Sequence, residues 1–274
     1  MELLTYTFVQ YAFLGGIGMA ILAGALGPFV VQSKQSIASD MFAHVALAGI
    51  GGALLIGVSP WWGALPALIL VSTLVWWLLD SDSYSPDALA MFFLSGGLAV
   101  ALAFVHISKD TTFAFENYLF GSILTLTTID LVAIMAATLF VVGIVWYFWY
   151  PLLGATQTPR FLIPFKRTPQ LMLLLYFWIL AIVVWVGIKT IGGLLIGALL
   201  VIPVLTAKKW VSSFKTLVFA STAVSVFSVV FGLFIALYID LPPSSLIIGV
   251  LILMFLVQSV HIRVKSRIAL WQKR

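Results

Sequence analysis

The chain has 274 residues, of which 63% are hydrophobic and only 8% charged; a water-soluble domain carries about 25% charged residues, so a soluble fold is excluded. The formal charge of +5 is spread over short linkers, which argues against a nucleic-acid-binding module. There is no cysteine, so disulfides and thiolate metal sites are excluded, and any metal site must use oxygen and nitrogen donors.

Roughly 20 apolar residues cross the hydrocarbon of a bilayer. Intervals free of formal charge are therefore read as spans: 3–33, 41–79, 88–108, 131–159, 168–188, 190–207, 216–239 and 241–262. Met1-Glu2 lacks the basic start of a cleavable signal sequence, and the apolar run after it is too long for one. The interval 41–79 is too long for one helix and is broken by Ser59-Pro60-Trp61-Trp62-Gly63. This predicts an all-α, polytopic membrane protein, a single domain over 1–274 with eight or nine transmembrane helices. Residues 117–129 are apolar but too short to cross, and read as an interfacial or re-entrant helix.

Lys and Arg set the orientation. With nine spans and the C-terminal cluster Arg263, Lys265, Arg267, Lys273 and Arg274 inside, the N-terminus is outside, and only Lys109 and Lys189 among the basic residues fall outside. If 168–188 and 190–207 were one bent element, the N-terminus would move inside. Small residues four apart, Ala48 with Gly52 and Gly193 with Gly197, are the pattern of ordinary close helix packing.

Ionisable residues inside the apolar runs are few. Asp40 and His44 stand four apart at the start of the second span, so a helix turns both side chains to one face. A carboxylate and an imidazole suit a divalent transition metal, and a charge in a membrane segment is expensive enough to need a reason. The bland reading is equally available: Ser39 or Asp40 caps the helix, and His44 bonds a neighbouring carbonyl. Glu116 reads as a solvated loop acid, Asp130 and Asp240 as markers of the membrane interface, and His106 and His261 as interfacial. The longest inside connection, 151–168, is apolar and basic, and Thr158-Pro159 offers an N-cap followed by proline in the first turn. Thr158, Pro159, Arg160, Phe161 and Leu162 then form a short amphipathic helix that either docks a soluble partner or lies in the headgroups. There is no G-x-x-x-x-G-K-[ST] phosphate loop and no H-E-x-x-H zinc-protease pattern.

Three blocks together resemble a known family. They are Gly27-Pro28-Phe29-Val30-Val31 followed by Asp40-x-x-x-His44 and Gly49; Tyr118-Leu119-Phe120-Gly121-Ser122-Ile123-Leu124 followed by Asp130-Leu131; and Gly192 through Ala207. In order and spacing the chain is similar to the membrane permease subunits of bacterial ABC importers for zinc, manganese and iron. It departs from their usual pattern at Ser39, Ala43 and Ala48, around the two candidate ligands rather than at them. The resemblance implies a multi-pass protein of the bacterial cell membrane that is not itself an enzyme and holds no permanent cofactor. It implies a second copy of the chain, cytoplasmic ATPase subunits that dock near 158–162, an extracytoplasmic metal-binding protein, and a lipid surround. It also implies that Asp40 and His44 coordinate the transported manganese, zinc or iron. The rival reading is a stand-alone secondary metal transporter or a membrane enzyme; one intramembrane ionisable pair is sparse for the first, and no second constellation supports the other.

Overall fold

The computed structural model describes residues 5–80, 83–107, 118–119, 121–157, 169–193, 195–239 and 241–271. These residues form ten helices and no strand: α1 (Thr7–Gln32), α2 (Ile37–Leu55), α3 (Pro60–Asp80), α4 (Pro86–Ile107), α5 (Thr128–Tyr147), α6 (Trp149–Gln157), α7 (Pro169–Thr190), α8 (Ile196–Ala207), α9 (Phe214–Ala236) and α10 (Pro243–Trp271). Eight of them are long and apolar enough to cross a membrane. Helix is the form such runs must take, because hydrocarbon offers no partner to an unpaired backbone N–H or C=O. The predicted break between the second and third spans is present: α2 stops at Leu55, Gly57 turns with φ +71°, and Pro60 opens α3, where its missing N–H costs nothing.

Helices α1, α2 and α7 are largely buried, whereas α3, α4 and α10 are mostly exposed. Their apolar outer faces, such as Trp77, Phe92 and Leu253, suit lipid. Without a hydrophobic force between helices in lipid, packing depends on close backbone approach and interhelical hydrogen bonds. On α1, Pro28 has no N–H for the Gly24 carbonyl one turn back; Ser221 Oγ of α9 donates to that carbonyl instead, at 2.9 Å. Helix α7 is stitched to α3 by tryptophans: Trp178 Nε1 donates to Thr73 Oγ1 at 3.1 Å, and Trp185 Nε1 to the Trp61 carbonyl at 3.1 Å.

Helix ends gather on two faces. On one, Phe29 of α1, Trp149 of α6 and Phe214 of α9 pack edge to face, with ring centroids 4.9 to 5.7 Å apart. Lys208, Lys209 and Lys215 lie on this side, hereafter the basic face. On the opposite face, Trp61 of α3 packs on Trp185 of α7 at 4.9 Å, beside Lys189 and Asp130.

Three expectations are revised. The run 190–207 is not a full-length helix: the chain turns over 191–195, with Gly192 at φ +97°, and α8 has only 12 residues, about 18 Å. It still reaches the basic face, where Val204 and Ala207 pack with Leu217 and Val31. The turn and α8 together thus make the crossing. The run 131–159 divides at Phe148 into α5 and α6, because α6 folds back onto α1 and α7. Within 117–129, Tyr118 and Leu119 are helical and Ile123–Thr125 form a 3-10 turn among the described residues. The segment instead clamps the end of α7 through its backbone: Gly193 N donates to the Tyr118 carbonyl at 2.9 Å, and Ser122 N to the Lys189 carbonyl at 3.3 Å.

Candidate functional site

Asp40 and His44 both lie on α2, one turn apart. The helix starts at Ile37, with Ser36 in the N-cap position, so neither Ser39 nor Asp40 caps it. Ser39 is fully buried and its Oγ donates to the Ser36 carbonyl at 2.9 Å. His44 bonds no carbonyl: its Nδ1 is buried without a hydrogen-bond partner. Asp40 likewise has no hydrogen bond or ion pair to any described residue. Buried polar groups are normally satisfied, so the unspent Nδ1 of His44, one turn from the exposed Asp40 carboxylate, leaves the pair free for a ligand.

The pair sits deep. Of residues 33–39, Ala38 and Ser39 are buried, whereas Lys34 and Ile37 stay exposed. Ser33 Oγ is 3.4 Å from the hydroxyl of the fully buried Tyr176, two turns into α7. Gly197, in the first turn of α8, faces the Asp40 carboxylate. From Gly197 to the end of α8 is ten residues, about 15 Å, or half of the ~30 Å hydrocarbon core. Asp40 is thus near mid-membrane, where a break between helices lines the site.

Backbone proximity shapes the pair. A Cβ on Gly197 would overlap Asp40 Oδ1 and come within 3.2 Å of Ser39 Oγ; a Cβ on Gly97 of α4 would come within 3.0 Å of the His44 backbone. The Gly193–Gly197 spacing read as ordinary packing is packing, but it packs against a candidate ligand. The first turn of α8 also turns the positive end of its dipole towards the carboxylate. Gly197→Val is therefore expected to displace Asp40 and weaken metal binding by about 10–100-fold, the usual cost of disturbing what orients a ligand. Isothermal titration of the purified variant, at unchanged helix content, checks this.

Asp40 is exposed and His44 half-buried in the single chain, so the pair opens on a side face. No group of three or more His, Cys, Asp or Glu that could hold a metal occurs among the described residues. Among the described residues these two donors make an incomplete site.

Asp130 is more than an interface marker. It is buried in the first turn of α5, where its Oδ2 accepts from Thr127 N (2.9 Å) and Thr127 Oγ1 (2.8 Å) in a capping box. Its Oδ1 accepts from Lys189 Nζ at 2.5 Å, and that ammonium lies 4.9 Å from the Trp61 ring centroid. The S/T-x-x-D pattern of Thr127 and Asp130 was visible in the sequence; a partner 59 positions away was not. His106 and His261 are exposed on α4 and α10, remote in sequence from the pair. Glu116, Asp240 and the predicted docking residues Thr158, Pro159, Arg160, Phe161 and Leu162 lie outside the described residues.

A model of the ABC 3 transport family matches residues 5–262. The chain is 26% identical over 233 residues to the high-affinity zinc uptake system membrane protein ZnuB of Haemophilus influenzae, covering 84% of this chain and 88% of that one. It is 26% identical over 252 residues to the manganese import system permease protein ScaB of Streptococcus gordonii, covering 92% and 90%. Among solved structures, PsaBC from Streptococcus pneumoniae in complex with Fab superposes with a TM-score of 0.82 at 24% identity, over 94% of this chain and 92% of that chain; this likeness concerns the fold.

Proposed function

Because the chain belongs to the ABC 3 transport family, we propose that it is the membrane permease subunit of an importer that carries a divalent transition metal into the cell. Manganese and zinc are the cargoes named for its relatives; iron(II) accepts the same donors. The observation that carries this reading is the Asp40–His44 pair, unsatisfied, at mid-depth, beside the break between α7 and α8.

A half-built site suits a carrier. Aspartate and imidazole replace part of the metal's hydration shell, and an incomplete coordination sphere lets the ion leave again. A second copy of this chain, joined across the face on which Asp40 is exposed, would bring a second pair to the same axis. Discontinuous helices at the cargo's depth are a recurrent transporter device, since a short helix re-orients more readily than a full span. With no phosphate loop in the sequence, ATP hydrolysis falls to separate subunits, which dock on the basic face near α6 and residues 158–162. The positive-inside rule places that face in the cytoplasm. A separate metal-binding protein would deliver the ion to the opposite face.

The test is uptake of radiolabelled manganese, zinc and iron by bacteria lacking their own importers, expressing this chain with its ATPase and binding protein. One metal should accumulate, and an ATPase whose phosphate-loop lysine is changed to alanine should abolish the accumulation. Uptake that continues without a working ATPase would show a secondary transporter instead.

A further inference from the structure

A cleft of about 270 Å³ opens on the side of the molecule between α1, α5, α6 and α9. Trp146, Trp149, Tyr150, Val218 and Phe219 are among its lining residues, and Lys215 stands in it as the one charged group. The Thr222 hydroxyl, which also lines it, is already spent on the Val218 carbonyl at 2.8 Å.

The chemistry is polarised along the membrane normal. Lys215 is the second residue of α9, level with the Phe29–Trp149–Phe214 cluster on the basic face. It is exposed and makes no hydrogen bond or ion pair to any described residue. Lys208 and Lys209, also exposed, lie just before α9. From Lys215 the apolar slot runs towards the bilayer centre along Val218, Phe219 and Thr222, one to two turns deeper. Trp146 and Phe219 are 65% and 62% exposed, so the slot opens sideways into hydrocarbon rather than into water.

Size decides among occupants. The volume holds about nine groups of water or methylene size, whereas a helix with its side chains is about 10–12 Å across. A stretch of about nine methylenes of an extended acyl chain fits and a partner helix does not. The cation at the headgroup end selects a negative charge, and the tryptophans and tyrosine beside it suit the membrane interface. We propose that this cleft binds one acyl chain of an anionic phospholipid from the leaflet on the basic face, with the lipid phosphate paired to Lys215. The lipid would fill the notch between α6 and α9 and so hold α6 against the bundle. The assignment is independent of the cargo.

Native mass spectrometry of the full-length protein in mild detergent tests it, with palmitoyl-oleoyl phosphatidylglycerol and phosphatidylcholine titrated as probes. Wild-type protein should retain one phosphatidylglycerol in preference to phosphatidylcholine. Lys215→Gln and Lys215→Glu should each reduce that preference about five-fold or more, as expected for one lysine near an anionic surface. Phosphatidylglycerol with a diazirine in the acyl chain should label peptides containing Trp146 and Phe219, and Val218→Trp, which fills the slot, should remove the label. Equal retention of the two lipids by wild type and both Lys215 variants would overturn the proposal, as would labelling spread evenly over the exposed helices. The chain has no native cysteine, so Phe219→Cys adds a single thiol; ready disulfide-linked dimers in membranes would put a second copy on this face and likewise overturn it.

Discussion

Lys189→Met is expected to destabilise the protein by about 3 kcal/mol, at the low end for breaking a buried ion pair because the lysine is partly exposed. The side chain of Asp130 is only 5% exposed and that of Lys189 28%. Removing the cation strands a negative charge among Trp61, α5 and α7, with only the two Thr127 bonds left to it. Asp130→Asn combined with Lys189→Met removes both charges and is expected to recover most of the loss, since a neutral amide has no charge to desolvate. Exchanging the charges, with Asp130→Lys and Lys189→Asp, should not recover it: a lysine cannot accept from Thr127 and close the capping box. Melting of the purified protein in detergent orders the variants as wild type, double neutral, then Lys189→Met. Lys189→Met melting with wild type would show that the pair contributes nothing. The pair lies where α7 ends and the chain turns towards Gly197, so it also anchors the non-helical stretch at the mid-membrane site.

The parts of this protein that were legible in the sequence are those encoded by local composition. Asp40 and His44 stood out because a charge within an apolar run is costly in hydrocarbon, and four-residue spacing puts both on one face wherever the helix begins. The Pro60 break was equally local. The run 190–207 misled because Ile, Leu and Val are as apolar in a turn followed by a short helix as in a full span. What shortens α8 is Gly192 at positive φ, together with the clamp from Tyr118 and Ser122, about 70 residues away. Hydropathy likewise merged α5 with α6, because Tyr147-Phe148-Trp149-Tyr150 is aromatic on both sides of the bend. Two features of the site were invisible for a different reason. Gly97 and Gly197 matter through what is missing beside His44 and Asp40, and a sequence shows a glycine without showing which backbone or carboxylate approaches it. Asp130 and Lys189 form a pair only because the fold joins the start of α5 to the end of α7.

Asp40→Ala with His44→Ala is expected to reduce ATP-dependent metal uptake to background while leaving the amount of folded protein in the membrane unchanged. The two halves of this prediction have separate reasons. Uptake is lost because this carboxylate and imidazole are the candidate metal ligands of the described spans, and water alone does not offset the cost of drawing a divalent ion into the bilayer centre. Stability is kept because neither side chain spends a hydrogen bond on the fold, Asp40 is exposed, and alanine is the better helix former. The single variants separate the roles. Imidazole must be neutral to bind a metal, so uptake by the wild type should fall as pH drops well below the reference value of about 6.5. In His44→Ala any residual uptake should lose that fall, while in Asp40→Ala it should keep it. The signature is the reverse of the one expected at Lys189, where stability falls first. Uptake that persists in the double variant, at matched membrane levels, would move the metal path away from α2.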